Sequence, residues 1–387
     1  MDHSGPRGRA KRERGTCMTR KHWVVGLLTL ACIGTAIGAV AASAAPKQQK
    51  LTNVTLQLKW VTQAQFAGYY AALDKGYYKA AGLNVNIKIG GPSITPELVV
   101  KGKQADFGID WLPNLFATRE QKSGLVSVAQ VFARSGMTEL TWKKSGITSI
   151  AKMRGKKVGV WCCGNQPELF AALTKNGINP ASKSAVTIVN QPFSMDLFLQ
   201  RKIDAAAAMT YNELAQVLEN KNPKTGKLYT LADLNVFKMA SPAVGTGMLE
   251  DNIFATQKYL SDSSHSATIT AFLKASFQGW IYCRDHVSDC TNIVLKNGTA
   301  LGHGHQLWQM NEINKLVWPN PSGIGTVPAS ALNNTAKIAK TYGVIKKAPS
   351  GAWNYTWARK ALAQLSGTDT KGANYKPITV KVTPKGA

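Results

Sequence analysis

Two short runs near the start of the chain restrict its fold more than any other feature. Apolar residues alternate along Val54, Leu56, Leu58 and Trp60, and again along Leu83, Val85, Ile87 and Ile89. A period of two is the mark of a half-buried strand. Between the runs lie a polar and aromatic turn (Gln63, Gln65, Phe66) and a helical pattern through Tyr70, Leu73 and Tyr77 that stops at Gly82. Gly90-Gly91-Pro92 ends the second run. Strand, turn, helix and strand in this order open a doubly wound α/β lobe. In such sheets ligands bind beyond the carboxyl ends of the strands, so the turn at residues 60–68 is expected to line a site.

The same segment carries a family resemblance. Trp60, Ala67-Gly68-Tyr69-Tyr70, Asp74-Lys75-Gly76-Tyr77-Tyr78 and Gly82-Leu83-Asn84-Val85 follow one another as they do at the start of type-2 periplasmic binding proteins of ABC importers. Within that group the chain resembles the branch that shares a fold with thiamine-pyrimidine synthases. The likeness continues through residues 102–108, Lys156-Lys157-Val158-Gly159-Val160 and Lys202-Ile203-Asp204-Ala205, and covers roughly residues 51 to 330. It implies an α/β, two-lobed, periplasmic-binding-protein-like fold of type 2, hinged by two crossings between the lobes.

Residues 1–45 read as an address and not as fold. Seven basic residues from Arg7 to Lys21 precede an apolar run from Trp23 to Val40, and Ala42-Ser43-Ala44 gives a small-x-small cleavage pattern. This is the pattern of a secretory signal peptide cleaved near Ala44, with Met1 or Met18 as the start. The alternative is a retained anchor, because the run approaches the roughly 20 residues that span a bilayer. No later run could span a membrane, so the mature chain is expected to be soluble; the leader makes it periplasmic or secreted, and a monomer is expected. Its formal charge of +26 falls to +21 without the leader's seven basic and two acidic residues. The basic residues sit singly or in pairs without interleaved aromatics, and no nucleic-acid motif is present, so nucleic acid is excluded as a partner.

Laid over the resemblance, the turn signals and apolar periods imply lobe one at 51–138 plus 247–367, lobe two at 139–246, and a flexible Lys-, Thr- and Gly-rich tail at 368–387. Two crossings predict closure around a ligand. Strand-end residues should face each other across the cleft. These are Trp60, Gln63, Phe66, Tyr69, Asp110, Trp111 and Asn114 from lobe one and Ser135 from the crossing. Lobe two contributes Cys163, Gly164, Asn165, Gln166, Phe193, Tyr211, Asn212 and Glu213. Aromatic faces with amide and carboxyl edges suit a flat nitrogen heterocycle better than a bare anion.

Cys283 and Cys290, seven apart near a helix end, are expected to form a disulfide worth roughly 2–3 kcal/mol in the chain-entropy model. Cys162 and Cys163 are expected to stay free at a strand end, since no second cysteine or histidine pair stands at zinc-ligand spacing. His303 and His305 read as solvated loop residues, and no metal is expected.

The resemblance also raises a catalytic alternative. Its synthase relatives carry a pyridoxal-phosphate lysine and a donor histidine four apart after the third strand. Those positions here are Asp110 and Asn114, which can do neither. A cysteine-rich iron site at the return to lobe one is replaced by residues 241–248, which hold no cysteine. The resemblance therefore implies a solute-binding protein with no cofactor and an ABC permease at the inner membrane as its partner. The solute is expected to be a thiamine pyrimidine precursor or riboflavin. The alternatives are a thiamine pyrimidine synthase, or a binder of sulfonate, taurine or nitrate.

Overall fold

The computed structural model describes residues 50–298 and 302–387. The signal-peptide reading of residues 1–45 lies outside the described residues. Two five-stranded mixed sheets organise the chain. The first contains β1 (Thr52–Gln57), β2 (Leu83–Lys88), β3 (Phe107–Trp111), β4 (Leu125–Gln130) and β10 (Asp251–Thr256). The second contains β5 (Met137–Trp142), β6 (Lys157–Val160), β7 (Thr187–Asn190), β8 (Ala205–Met209) and β9 (Leu234–Lys238). Among the described residues no helix is long and apolar enough to cross a membrane.

The sheets share one construction. In the first the order is β2-β1-β3-β10-β4, and in the second β7-β6-β8-β5-β9. Three parallel strands form one side of each sheet, and the strand delivered by a crossing inserts antiparallel near the middle. β5, entered after β4, lies between β8 and β9; β10, entered after β9, lies between β3 and β4. The chain therefore passes between the sheets twice, and each passage supplies a central strand.

The alternation that predicts β1 and β2 is present: Val54 and Leu56 are buried on β1, and Leu83 and Val85 on β2, with Asn84 and Asn86 exposed between them. The strands β5, β9 and β10 carry no such signal. Every residue of β5 is buried, including Glu139, so polar and apolar positions do not alternate by exposure. A central strand covered on both faces loses the period-two pattern.

Helix packing on the first sheet is close. The helix Ala67–Asp74 crosses the long helix Ser266–Asp285 where Gly68 meets Gly279. A Cβ on Gly279 would stand 1.9 Å from the Gly68 carbonyl oxygen, and one on Gly68 would enter the Trp280 ring. Tyr69 then stacks edge-on against Trp280, with centroids 5.6 Å apart. The long helix ends at the Cys283–Cys290 disulfide, whose cysteines are wholly buried and which ties it to the helix Val287–Lys296.

Three expectations are corrected here. Cys162 and Cys163 are not free thiols but are bonded to each other as adjacent residues. The tail 368–387 has little regular structure, yet it is docked: the Ile378 N–H donates to Asn311 Oδ1 and the Lys385 N–H to the Glu219 carbonyl. Its last turn, Pro384–Gly386, packs on both the helix His303–Val317 and the helix Glu213–Leu218. His305 is not solvated, because that turn helps to bury it between Glu219 Oε1 at Nδ1 and Asn212 Oδ1 at Nε2, 2.8 and 2.9 Å away. Small residues allow the turn to approach this closely, which a low-complexity composition hides.

The glycine crossing gives a stability test. Gly279→Ala gains helix propensity of about 1 kcal/mol, but it forces backbone against backbone at a cost of roughly 1–3 kcal/mol or more. The urea midpoint is expected to fall. An unchanged midpoint would show that the two helices can separate freely.

Candidate ligand-binding cleft

The carboxyl ends of the parallel strands of both sheets meet at one cavity. β1 leads into Lys59 and Trp60, β3 ends at Trp111, β6 leads into Trp161 and Asn165, and β8 leads into Tyr211, Asn212 and Glu213. All of these line the cavity together with Gln63, Gln65 and Met209. Its volume is about 30 Å³, room for about two waters. Larger hollows of about 540 and 650 Å³ lie beside His265 and beside Lys346 and Lys347, away from the carboxyl ends of the parallel strands.

Of the residues that sequence reasoning places in the cleft, Trp60, Gln63, Trp111, Asn165, Tyr211, Asn212 and Glu213 line the cavity. The others stand elsewhere. Phe66 and Tyr69 are core residues of the first sheet's helices, because the helix that starts at Ala67 turns both rings inward. Phe193 is partly buried outside the cavity. Gln166 accepts the Gly164 N–H at 3.0 Å and does not reach the cavity.

Asp110, Asn114, Ser135 and Gly164 surround the site without lining it. Asp110 is buried in an ion pair with Lys59, and it accepts the Trp111 N–H at 2.6 Å and Asn114 Nδ2 at 2.9 Å. Gly164, at φ 105°, lets the second lobe's loop press on Asn114: a Cβ there would stand 2.8 Å from Asn114 Nδ2. Ser135 belongs to the hinge. Its hydroxyl donates to Glu168 at 2.6 Å, and Glu250 accepts the N–H groups of Gly136 and Met137 at 2.8 and 3.0 Å.

Gln65 lies in the turn at 60–68 that is expected to line a site, and it does; sequence reasoning missed Lys59, Trp161 and Met209. The strand-end rule that selects Trp60 selects Trp161 equally well. Nothing in the local sequence singles out Lys59. It is buried because Asp110 neutralises it, and its ammonium also lies 4.8 Å from the Trp111 ring centroid. Asp251 was also missed, because its strand carries no period. It sits opposite Trp111 in the β10–β3 ladder and accepts both bonds from Gln65 Nε2 at 3.1 and 2.9 Å. Gln309, Gln63 and Gln65 continue this chain of amides, with donor–acceptor distances of 3.1 and 2.7 Å.

Carboxyl groups outnumber cations around this cavity. Burial pushes the Glu213 carboxyl up to about 8, against the Met209 N–H that bonds its charged form. Burial raises Asp251 to about 7, with Gln65 and then Lys59 opposing the rise. Glu97 is fully buried with both oxygens unbonded, and burial followed by the Asp110 charge drives it well above the carboxylate range. At the hinge, burial raises Glu168 to about 8 and Glu250 well above its usual value. Among the described residues Lys59 is the one cation lining the cavity, and it is already paired. Arg119 and Arg134 spend their guanidinium groups on backbone carbonyls. Among the described residues no group of three or more His, Cys, Asp or Glu is placed to hold a metal.

These residues also fit a family. The chain matches the NMT1/THI5-like family over residues 63–288, and it belongs to that family. It is 26% identical over 172 residues to a protein of Haemophilus influenzae named for thiamine biosynthesis, a match that spans 44% of this chain and 54% of that relative, about half of each. Among solved structures it resembles a Bordetella bronchiseptica protein, with TM-score 0.61 and 17% identity over 82% of this chain and 98% of that one. It also resembles the periplasmic aliphatic sulphonate binding protein of Escherichia coli, with TM-score 0.55 and 12% identity over 85% and 94%. A Candida albicans protein described as having the generic periplasmic binding protein fold matches with TM-score 0.55 and 15% identity over 85% and 98%. The fold is that of the periplasmic binding proteins, two-lobed and α/β.

The raised carboxyls fix the sign of a pH effect. Below about pH 4.5, the ordinary glutamate value, these groups are protonated in both folded and unfolded chains. Between there and about pH 8 the unfolded chain ionises them while the fold resists, so stability falls as pH rises. The melting temperature is expected to be higher at pH 5.5 than at pH 8, and Glu213→Gln should flatten the slope. A melting temperature that climbs from pH 5.5 to 8 would contradict the assignment.

Proposed function

We propose that this NMT1/THI5-like chain is the exported solute receptor of an ABC importer. Its solute is a small, single-ring, amine-bearing heteroaromatic of the thiamine-pyrimidine type. Binding and closure of the two lobes are the mechanism, and a permease at the inner membrane is the partner. One observation carries the reading: Trp60, Trp111, Trp161 and Tyr211 box a cavity whose polar edges are amides and the Glu213 carboxyl and whose lining cation is already paired.

Ring faces supply stacking, and a carboxyl such as Glu213 accepts an amine or ring N–H of the solute. Trp161 Nε1 is buried without an acceptor in the protein, and it can donate to a ring nitrogen. A sulfonate or nitrate would need donors of free positive charge, and the one cation lining the cavity, Lys59, is already paired with Asp110. Size favours the single ring among the remaining candidates. A cavity of about 30 Å³ must open modestly for one ring and far more for the three fused rings of riboflavin. The catalytic alternative has less support: the place of a pyridoxal-phosphate lysine is held by Asp110, and Lys59 is tied up in the ion pair with it.

A thermal-shift panel with an aminopyrimidine, riboflavin, taurine and nitrate tests the proposal. The aminopyrimidine is expected to protect by about 2.7 kcal/mol at a hundredfold excess over its Kd. Protection by taurine or nitrate alone, or a pyridoxal-phosphate adduct on Lys59 in the intact mass, would overturn the reading. Trp60 is only partly buried, so Trp60→Ala should weaken binding by about 1–3 kcal/mol with little change in the apo melting temperature. Trp111 is 2% exposed, so Trp111→Ala should lose affinity and also about 3–5 kcal/mol of stability.

A further inference from the structure

The bonded pair Cys162–Cys163 sits at a place where its state can be felt by the cleft. β6 ends at Val160, and the next residue, Trp161, already lines the cavity. The pair follows, then Gly164, then Asn165, which lines the cavity again. The backbone of this turn is unusual: Cys163 is held at φ 68°, in the left-handed region that L-residues with a Cβ seldom adopt, and Gly164 follows at φ 105°. The turn is tied down locally. The Cys162 N–H donates to Asn190 Oδ1 at 3.0 Å, and its carbonyl accepts Asn165 Nδ2 at 2.9 Å. From the other lobe Asn114 abuts Gly164, and Asn114 is itself bonded to Asp110, the partner of Lys59.

The two disulfides of the described chain differ in access. Cys283 and Cys290 are wholly buried, whereas Cys163 is exposed and Cys162 half-buried. A thiolate must reach a sulfur in line to break a disulfide, so access decides which pair reacts first.

We propose that Cys162–Cys163 is a reversible redox site that sets the shape of the second lobe's wall of the cleft. A dithiol reductant attacks the exposed Cys163 sulfur, forming a mixed disulfide as Cys162 leaves as a thiolate that takes up a proton. The reductant's second thiol then closes its own disulfide and releases Cys163 as a thiol. Two electrons and two protons pass to the protein, and the reductant is oxidised. With the ring between adjacent residues opened, Cys163 is free to leave the left-handed region. The turn that carries Trp161, Gly164 and Asn165 then relaxes away from Asn114. The oxidised protein is the binding-competent form.

The test uses the full exported chain in its oxidised form, treated with graded dithiothreitol, alkylated and mapped by peptide mass spectrometry. Cys162 and Cys163 should be labelled at a dithiothreitol concentration about tenfold or more below that needed for Cys283 and Cys290. Hydrogen exchange across residues 161–166 should rise on selective reduction. Affinity for an aminopyrimidine should fall about tenfold, as expected when a preorganised wall is loosened, and return on reoxidation. The double variant Cys162→Ser/Cys163→Ser should match the reduced protein and ignore dithiothreitol. Equal reactivity of both pairs, or unchanged exchange across 161–166 after selective reduction, overturns the proposal. If exchange responds but no aminopyrimidine binds in either state, the solute reading fails and the redox site stands.

Discussion

The pairing of β10 with β3 is the constraint on which the cleft depends. Antiparallel register puts Asn252 opposite Asp110 and Asp251 opposite Trp111. Asn252 Nδ2 then donates to the Asp110 carbonyl at 2.6 Å, which fixes the strand end from which Trp111 enters the cavity. Asp251 anchors the amide chain through Gln65 to Gln63 and Gln309. A slip of one residue would turn every side chain of β10 to the other face of the sheet. It would remove both anchors together. Because β10 is also the strand that returns from the second sheet, the site and the connection between the lobes are set by the same ladder.

Buried carboxyls concentrate where the chain passes between sheets. Ser135, Gly136 and Met137 in one crossing meet Glu250 in the other, and Ser135 also holds Glu168 from the second lobe. Glu168 and Glu250 are both raised by burial, and Glu168's charge adds to the rise at Glu250. Groups held in this way favour the protonated form, and they make mildly acidic conditions the more stable ones. A cavity whose one lining cation is already paired offers an anion no free positive charge. Similarity of fold to a sulphonate binder therefore leaves the solute to be argued from the side chains.

The second lobe's contribution is buttressed from outside the cavity. Asn212 and Glu213 line it, and Asn212 Nδ2 donates to Glu213 at 2.8 Å. Behind Asn212 stands His305, with the carboxylate of Glu219 on its other nitrogen and the docked tail over it. The opposite edge of that wall is the turn holding the adjacent cysteines. One wall of the cleft thus rests on a packed histidine at one end and on a covalent ring at the other.

How much of this was legible in the sequence follows from what each residue answers to. β1, β2 and the turn after Trp60 are governed by local alternation and by glycines at turns, so their place at a strand-end site could be read directly. Trp60, Trp111, Tyr211 and Glu213 follow strands and were found by that rule. The strands β5, β9 and β10 could not be read that way, because they are placed by partners far along the chain. β5 and β10 sit in the middle of sheets, where burial on both faces erases the period. Phe66 and Tyr69 share the turn's aromatic character, but the helix axis, fixed by the Gly68–Gly279 contact, turns them into the core. His305 reads as a solvated loop residue and Lys59 and Asp251 carry no signal, and only the tertiary structure supplies the partners that let them be buried. The sequence by itself determined which strand ends carry aromatic faces. The tertiary structure decided which of those faces meet, and it brought charged groups inside, because burial of a charge depends on a partner that sequence distance does not reveal.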